Sequence, residues 1–396
     1  MNSSRSILCL AVVSMMAAIV LTVATAQQTQ PATGRGSGRG GAPAPTFPPG
    51  ERQRIVQQLG SRDVRIHDPS TIIKCKDEYW VFYTGGGTPS YHSKDLVTWV
   101  SGPATFTASP SWLADVVPPG RSRGGRGAGP TTSTTGPAAG PATTAARGRG
   151  GRGPGAPNFW APDIIHLGDR YLLYFSYSAF GVNTSAIAVA SNPTLDPADP
   201  QYKWTELGIV VQTRQADDFN CIDPAVTQDA QGNLWLAFGS FWSGIKLIQL
   251  DPTTGKRVAP DSPMYNIAWY SSIEASDIHY HDGYYYLFVD WGLCCRGVNS
   301  TYDMRIGRSA RITGPYLDKD GKDMLAGGGS PLLQTDGAFI GPGHAGILKD
   351  GDKYWLSMHF YDGSGGPTGP NGTLAIRPLT WAADGWPVVG KLDSKP

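Results

Sequence analysis

Charged residues, cysteines and long apolar runs are all scarce in this 396-residue sequence. Charged residues make up only 16%, which excludes a highly charged disordered chain and a coiled coil. After the first 26 residues, no segment is apolar over a length that could span a bilayer. Glycine, proline and aromatic residues are abundant instead, with 51 Gly, 32 Pro, 17 Tyr and 12 Trp. This mixture favours strands and tight turns over long helices, so we predict an all-β protein.

Two stretches of the sequence contain arginines but no acidic residue. Their positive charge offsets a negative net charge in the rest of the chain. Residues 1–50 hold three arginines and residues 118–157 hold six, and neither stretch has an acid. Without these nine arginines, 24 of the 33 basic residues remain against 32 acidic ones, a net charge of about −8. Binding of a polyanion needs a clustered positive face. We therefore predict no nucleic-acid partner, and the acidic body suits a neutral ligand such as a sugar.

The first 26 residues have the three-part pattern of a cleaved secretory signal. Arg5 is followed by an apolar run over about 7–23 and by the small residues Ala24, Thr25 and Ala26. An uncleaved anchor helix is the alternative, because the run is close to spanning length. We expect a secreted protein, extracellular or periplasmic, that leaves the membrane after cleavage.

Four cysteines remain once the signal is removed: Cys75, Cys221, Cys294 and Cys295. Cysteines of an exported protein can pair, but their spacing does not give the connectivity. The adjacent Cys294 and Cys295 could close a small ring or stay reduced. No CxxC or CxxH element accompanies them, so we predict no zinc site.

Two segments have the composition of unstructured chain. Residues 27–50 are rich in Gly, Pro, Gln and Ala, and we predict a flexible linker over 27–61. Residues 118–157 include RSRGGRG and RGRGGRGPG and have almost nothing apolar to bury, so we predict a solvated insert within a folded domain over 62–392. RNA binding by the RGG repeats is the alternative, but an exported protein would not meet RNA.

The remaining sequence repeats five times. In each unit a polar residue precedes a short apolar strand, a turn and an aromatic-rich strand. The aromatic strands are YWVFY (79–83), YLLYF (171–175), LWLAF (234–238), YYYLF (284–288) and YWLSM (354–358). Small four-stranded sheets bury both faces only when they are arranged around an axis. We therefore predict a five-bladed β-propeller; a β-sandwich would leave the fivefold repeat unexplained.

The five units begin at Asp68, Asp163, Asp223, Glu274 and His344. The innermost strands of a propeller line its channel, so we expect four carboxyls and an imidazole to face one cavity. Crowded carboxyls acquire different pKa values, and glycoside hydrolysis needs one carboxyl as acid and one as base. Aromatic residues near these starts could contact the C–H face of a sugar or could pack in the core: Trp160, Phe241, Trp242 and Trp291.

Several motifs resemble those of the endo-α-1,5-L-arabinanases of glycoside hydrolase family 43, in the correct order over about residues 62–392. They are IHDPS (66–70), NFWAPDI (158–164), SAFGVNTSAI (178–187), CIDPAV (221–226), GSFWSGIKLIQLD (239–251), IEAS (273–276), CCRGVNSTY (294–302), ITGPY (312–316) and GPGHAGIL (341–348). GSFWSGIKL and CCRGVNSTY are too long to agree by chance. The linker and the insert lie outside this resemblance.

The resemblance implies roles for matching residues. Asp68 would be the general base that activates water, Glu274 the general acid, and Asp223 the residue that tunes and orients the acid. The family inverts the anomeric configuration, which requires the base and the acid to stand roughly 6.5–9.5 Å apart. His344 resembles the histidine that holds an axial calcium ion together with waters. Calcium prefers oxygen ligands, so another ion is an alternative.

The resemblance also implies a sugar-binding set and an activity. The residues expected to border the sugar are Trp160, Phe180, Gly181, Asn220, Ser240, Phe241 and Trp242, whereas Asp163 would shape the site. The predicted activity is internal cutting of α-1,5-linked arabinan, a pectin side chain, by a monomer. An exo-acting arabinofuranosidase or β-xylosidase with the same carboxyls is the close alternative. A sugar-binding propeller without catalysis is another, although none of the three carboxyls is lost.

Overall fold

The computed structural model describes residues 64–117, 157–363 and 372–390. The predicted signal peptide at 1–26, the linker at 27–61 and nearly all of the insert at 118–157 therefore lie outside the described residues. Within the described part of the chain, no helix is long and apolar enough to cross a membrane.

In the described residues, twenty strands form five four-stranded antiparallel sheets, each in simple sequential order. The first sheet contains β1 (Ile73–Cys75), β2 (Glu78–Phe82), β3 (Ser90–Ser93) and β4 (Trp99–Ser101). The second contains β5 (Asn158–Leu167), β6 (Arg170–Ser178), β7 (Ser185–Asn192) and β8 (Thr205–Thr213). The third contains β9 (Ala225–Gln228), β10 (Leu234–Phe238), β11 (Ile245–Leu250) and β12 (Met264–Ala268).

The fourth sheet contains β13 (Ile273–His281), β14 (Tyr284–Trp291), β15 (Asp303–Ser309) and β16 (Ser330–Leu333). The fifth contains β17 (Phe339–Asp350), β18 (Lys353–Asp362), β19 (Thr373–Trp381) and β20 (Pro387–Val389). Short helices lie between strands: α1 (Leu113–Val116) and two 3-10 turns, Gly297–Asn299 and Met324–Ala326. The five sheets are the blades of a β-propeller, which confirms the predicted fold.

Strand β10 shows why the blades must pack radially. Its five residues, LWLAF, are all buried. Leu234, Leu236 and Phe238 pack against the second blade, whereas Trp235 and Ala237 pack against the fourth. Alternate residues of a strand point to opposite faces, so a strand that is apolar at every position needs a neighbouring sheet on both sides.

Residues 64–66 tie the start of the described chain to the last blade. The Ile66 N–H donates to the Gly372 carbonyl at 3.1 Å, and the Leu374 N–H donates to the Val64 carbonyl at 3.1 Å. These hydrogen bonds close the ring of blades. They also bring Asp68 beside His344 and His359 of the fifth blade.

Candidate active site

Each innermost strand has a kink, either just before the strand or within it, at a non-glycine residue with positive φ. Among the described residues, each blade has one such residue at this kink: Asp68 (47°), Ala161 (42°), Asp223 (57°), Ala275 (52°) and His344 (63°). This conformation costs a residue with a Cβ roughly 1–3 kcal/mol and is concentrated at functional sites. The kinks place five equivalent positions at the same end of the five innermost strands.

Three of the five predicted start residues occupy the kink position, and two do not. Asp68, Asp223 and His344 are kink residues themselves. Asp163 follows its kink by two residues, and Glu274 precedes its kink by one. The five start residues are therefore not all structurally equivalent, and the sequence pattern by itself does not show where a strand kinks.

Asp163 links three blades through backbone hydrogen bonds. Its Oδ1 accepts the Thr71 N–H at 2.9 Å, and its Oδ2 accepts the Val226 N–H at 2.8 Å. Burial raises the pKa of Asp163 to about 6, against the opposing effect of these hydrogen bonds. Because both oxygens are occupied by backbone donors of the first and third blades, Asp163 is suited to a structural link.

Asp68 is held mainly through one of its two carboxylate oxygens. Oδ2 lies 2.8 Å from His67 Nδ1 and accepts the Thr84 hydroxyl at 2.6 Å. Oδ1 lies 3.5 Å from His344 Nδ1 and 3.8 Å from His359 Nδ1. Burial opposes ionisation, but the adjoining His67 outweighs burial and the pKa of Asp68 lies well below its usual range. Asp68 is therefore an ionised carboxylate at neutral pH.

Glu274 and Asp223 are buried carboxyls whose pKa values are raised. Burial is the largest cause for both, and the charge of Asp68 contributes to both. The pKa of Asp223 is raised further by the charge of Glu274. Asp223 Oδ2 accepts the Ala275 N–H at 3.0 Å, so the residue adjacent to Glu274 is anchored on Asp223. The three carboxyls share one environment, in which Asp68 is ionised and Glu274 retains its proton to higher pH.

Two residues that the sequence did not single out belong to the same cluster. The hydroxyl of Tyr302 donates to Glu274 Oε1. Asp290 pairs with Glu274 across the β13–β14 ladder and is fully buried. Asp290 Oδ2 accepts the His344 N–H at 2.6 Å, and Oδ1 finds no hydrogen-bond partner among the described residues. Tyr302 ends the CCRGVNSTY motif, which was the only sequence signal for either residue.

Histidines and a disulfide complete the wall near Asp68. His67 stacks on His359 with ring centroids 4.2 Å apart. Cys294 and Cys295 form a disulfide, whereas Cys75 and Cys221 are buried and unpaired. Potential metal-binding donors come together where His67 meets Asp68 and His359; the sulfurs of Cys294 and Cys295 also lie near His67, but they are oxidised in the disulfide and are not thiolate ligands. Burial lowers the pKa of His344, which keeps its imidazole neutral.

Of the predicted sugar-binding aromatics, Phe180, Phe241 and Trp242 lie on loops that follow the second strands of two blades, whereas Trp160 lies within β5. Trp160 and Phe180 contact each other with ring centroids 4.9 Å apart, and Phe180 is 60% exposed. The Phe241 N–H donates to the Ile273 carbonyl at 2.7 Å, which anchors its loop beside Glu274. Trp242 is 42% exposed, and its carbonyl accepts the indole N–H of Trp269, an exposed residue that the sequence did not indicate.

The other predicted sugar-binding residues are polar or small. Ser240 Oγ donates to Glu274 Oε2 at 2.6 Å, which places Ser240 in the carboxyl cluster. Asn220 is buried, and its Oδ1 accepts the Ser185 hydroxyl at 2.7 Å. Gly181 is exposed and has a φ of 79°, so its turn favours glycine.

Trp291, for which the sequence left both sugar contact and core packing open, is engaged in packing. It stacks on Tyr270 with ring centroids 3.8 Å apart, and the Arg305 guanidinium lies 4.5 Å above its ring. Because these neighbours already occupy the ring, Trp291 packs structurally. Its position near the start of a repeat did not reveal this, since Tyr270 belongs to the preceding connection and Arg305 to the next strand.

Comparisons with known proteins agree with this architecture. The profile of Glycosyl hydrolases family 43 matches residues 138–387. The chain is 36% identical to the extracellular exo-α-(1→5)-L-arabinofuranosidase ArbA of Cellvibrio japonicus, over 85% of this chain and 90% of that protein. It is 37% identical to the extracellular endo-α-(1→5)-L-arabinanase 1 of Bacillus subtilis, over 83% and 88%. The structure of the Cellvibrio cellulosa α-L-arabinanase superposes with a TM-score of 0.70 at 36% identity, covering 84% of this chain and 97% of that one.

A five-bladed propeller whose carboxyl cluster combines a lowered and a raised pKa has the pairing that glycoside hydrolysis needs, and the matching family profile identifies this protein as a glycoside hydrolase. Within that class, the chain belongs to glycosyl hydrolase family 43.

Proposed function

We propose that this protein is an exported, inverting endo-hydrolase that cuts α-1,5-linked L-arabinan. The contrast between Asp68, whose pKa is lowered, and Glu274, whose pKa is raised, carries the proposal, because hydrolysis of a glycoside needs one ionised and one protonated carboxyl. The relatives that act on arabinan match most of the chain, and two of them are named as extracellular. Both facts support the substrate and export.

In the proposed reaction, the Asp68 carboxylate accepts a proton from a water molecule, and the water oxygen bonds to the anomeric carbon. The bond between that carbon and the glycosidic oxygen breaks as Glu274 gives its proton to the departing oxygen. The reaction consumes one water and leaves Asp68 protonated and Glu274 ionised. Exchange of one proton with solvent restores both groups, and the configuration at the anomeric carbon is inverted.

Asp223 would tune and orient the acid. Burial and the charge of Glu274 raise the pKa of Asp223, so the two carboxyls do not readily ionise together. Its hydrogen bond to the Ala275 N–H holds the backbone next to Glu274. Asp223 therefore suits an electrostatic and orienting role beside the acid.

An axial cation fits the residues of this cluster. Asp290 Oδ1 is a buried oxygen without a hydrogen-bond partner among the described residues, and the other oxygen of that carboxyl accepts the His344 N–H. We propose that His344 binds a calcium ion together with waters, since calcium prefers oxygen donors. A bound cation would supply positive charge that stabilises the ionised carboxyls.

Internal cutting and terminal cutting use the same three carboxyls, and the relatives include both kinds of enzyme. The test is the product distribution from linear α-1,5-arabinan at early conversion. A mixture of oligosaccharides supports endo action, whereas arabinose or a single short product from the outset would favour the exo-acting alternative. Parallel assays on branched arabinan, arabinoxylan and xylan test the substrate class, and preferential release from xylan would contradict it.

The stereochemistry and the oligomeric state have separate tests. Proton NMR during hydrolysis reports the anomer formed first, and initial retention of configuration would contradict the inverting mechanism. We expect a monomer, which light scattering of the purified protein checks directly.

A further inference from the structure

We propose that His67 is a positioning residue that fixes the Asp68 carboxylate by its Oδ2 atom and leaves Oδ1 to take the proton of water. This inference rests on the proposed function, in which Asp68 is the base. It adds a role for His67 and Tyr361, and it selects one oxygen of the base.

The hydrogen bonds around Tyr361 determine which nitrogen of His67 carries the proton. The Tyr361 hydroxyl oxygen accepts the Cys295 N–H at 2.8 Å. Its own hydrogen is then available to His67 Nε2, which lies 2.8 Å away. Because Nε2 accepts this hydrogen bond, the ring carries a proton on Nδ1.

The protonated Nδ1 faces the base. It lies 2.8 Å from Asp68 Oδ2, and the Thr84 hydroxyl donates to the same oxygen at 2.6 Å. Thr84 cannot turn away freely, because its Oγ1 also accepts the Ala161 N–H at 2.8 Å. Two donors from the first blade therefore fix Oδ2.

Oδ1 remains without a comparable donor. His359 Nδ1 accepts the Asp68 N–H at 3.2 Å, so it offers no proton to Oδ1, from which it is 3.8 Å distant. His344 Nδ1 lies 3.5 Å from Oδ1, beyond an ordinary hydrogen bond. Oδ1 is thus the oxygen of Asp68 with the greater capacity to accept a proton.

The supports of His67 are rigid. Its ring is buried and stacks on His359 at 4.2 Å. The Cys295 N–H that holds Tyr361 belongs to the small ring closed by the Cys294–Cys295 disulfide, so the direction of this donor is fixed covalently. A chain of hydrogen bonds therefore links Cys295 of the fourth blade, through Tyr361 of the fifth blade and His67, to Asp68 of the first blade.

The test compares His67→Ala with His67→Asn, whose side-chain amide keeps an N–H donor near the place of Nδ1. On linear arabinan we expect His67→Ala to lower kcat roughly 10- to 100-fold while KM changes less than about threefold, because a misplaced base slows the reaction without weakening sugar binding. His67→Asn should recover most of that loss. Tyr361→Phe should lower kcat by a smaller factor, since the stacked ring remains.

His92→Ala is the matched control. His92 also lies 2.9 Å from a carboxylate, Glu78 Oε2, but within the first blade away from the carboxyl cluster. We expect its kcat to stay within about twofold of the wild type. Circular dichroism and melting curves establish that each variant is folded.

Two results would overturn the inference: a folded His67→Ala variant with wild-type kcat, or a His67→Asn variant as impaired as His67→Ala. If both His67 variants fail to fold, Tyr361→Phe decides, and an unchanged kcat in that variant counts against the inference. Asp68→Asn separates this inference from the proposed function. If the Asp68→Asn variant is active, Asp68 is not the base and the proposed function fails. If Asp68→Asn is inactive while His67→Ala is fully active, Asp68 remains the base and only the positioning role of His67 is rejected.

Discussion

The hydroxyl of Ser240 lies 2.6 Å from Oε2 of Glu274, so a loop of the third blade holds a carboxyl that belongs to the fourth. Tyr302 donates to the other oxygen of Glu274. Burial raises the pKa of Glu274, whereas both hydrogen bonds lower it by stabilising the carboxylate. The balance of these effects determines the pH up to which Glu274 can donate a proton.

Tyr302→Phe should extend activity to higher pH. The variant loses a hydrogen bond that stabilises the ionised form of Glu274, so the pKa of Glu274 rises further and the acid stays protonated longer. In a profile of kcat against pH, the alkaline limb should move upward. Tyr316→Phe is the control, because the buried Tyr316 hydroxyl donates a hydrogen bond to the Ile312 carbonyl, outside the carboxyl cluster. A downward shift with Tyr302→Phe would contradict this account.

The acidic limb of the profile of kcat against pH should report the protonation of Asp68. The pKa of Asp68 is lowered, so the base remains ionised as the pH falls through the usual range of a carboxyl. We expect activity to persist in that range until the protein itself unfolds. An acidic limb at or above the ordinary pKa of an aspartate, measured on folded enzyme, would be inconsistent with the environment of Asp68.

Glu274→Gln should keep the fold and lower kcat on arabinan by roughly 100- to 10,000-fold, because the departing alkoxide loses its proton donor. The loss of kcat should be much smaller on a nitrophenyl glycoside of an α-1,5-arabino-oligosaccharide, because nitrophenolate leaves without protonation. Comparing kcat on the two substrates checks the role of the acid. Equal losses on both would point to a structural defect, and unchanged activity would exclude Glu274 as the acid.

Removal of divalent cations should lower both activity and melting temperature. Without a cation, the cluster loses a positive charge that stabilises the Asp68 carboxylate, and Asp290 Oδ1 stays unpartnered. Treatment with a chelator followed by return of calcium, magnesium or zinc identifies the ion by recovery of both properties. The His344→Gln variant should respond less to calcium. Complete indifference of the wild type to a chelator, with no metal detected by mass spectrometry, would refute the calcium proposal.

Trp242→Ala should weaken binding of long arabinan chains. The exposed indole can cover the C–H face of a sugar, and its loss should raise KM by about tenfold, or ~1.4 kcal/mol, with a smaller change in kcat. Tyr284→Ala is the control, because Tyr284 is similarly exposed at the start of β14, at the other end of its strand from the site. A KM that is unchanged on arabino-oligosaccharides of every length would place the sugar elsewhere.

The sequence alone determined the fold and the identity of the main carboxyls. The aromatic strands at 79–83 and 234–238 are local patterns, and the alternation of their side chains between two faces follows from the backbone itself. Asp68, Asp223 and Glu274 stand in short motifs that can be recognised without knowledge of their neighbours.

Only the tertiary structure decided how those carboxyls differ and what holds them. His67 and Tyr361 are 294 residues apart, and Ser240 and Glu274 belong to different blades. The pairing of Cys294 with Cys295 and the stacking that occupies Trp291 were also open before the fold was known. Burial and the hydrogen-bond partners across blades fix the pKa of each carboxyl, and both depend on closure of the ring, which no local segment encodes.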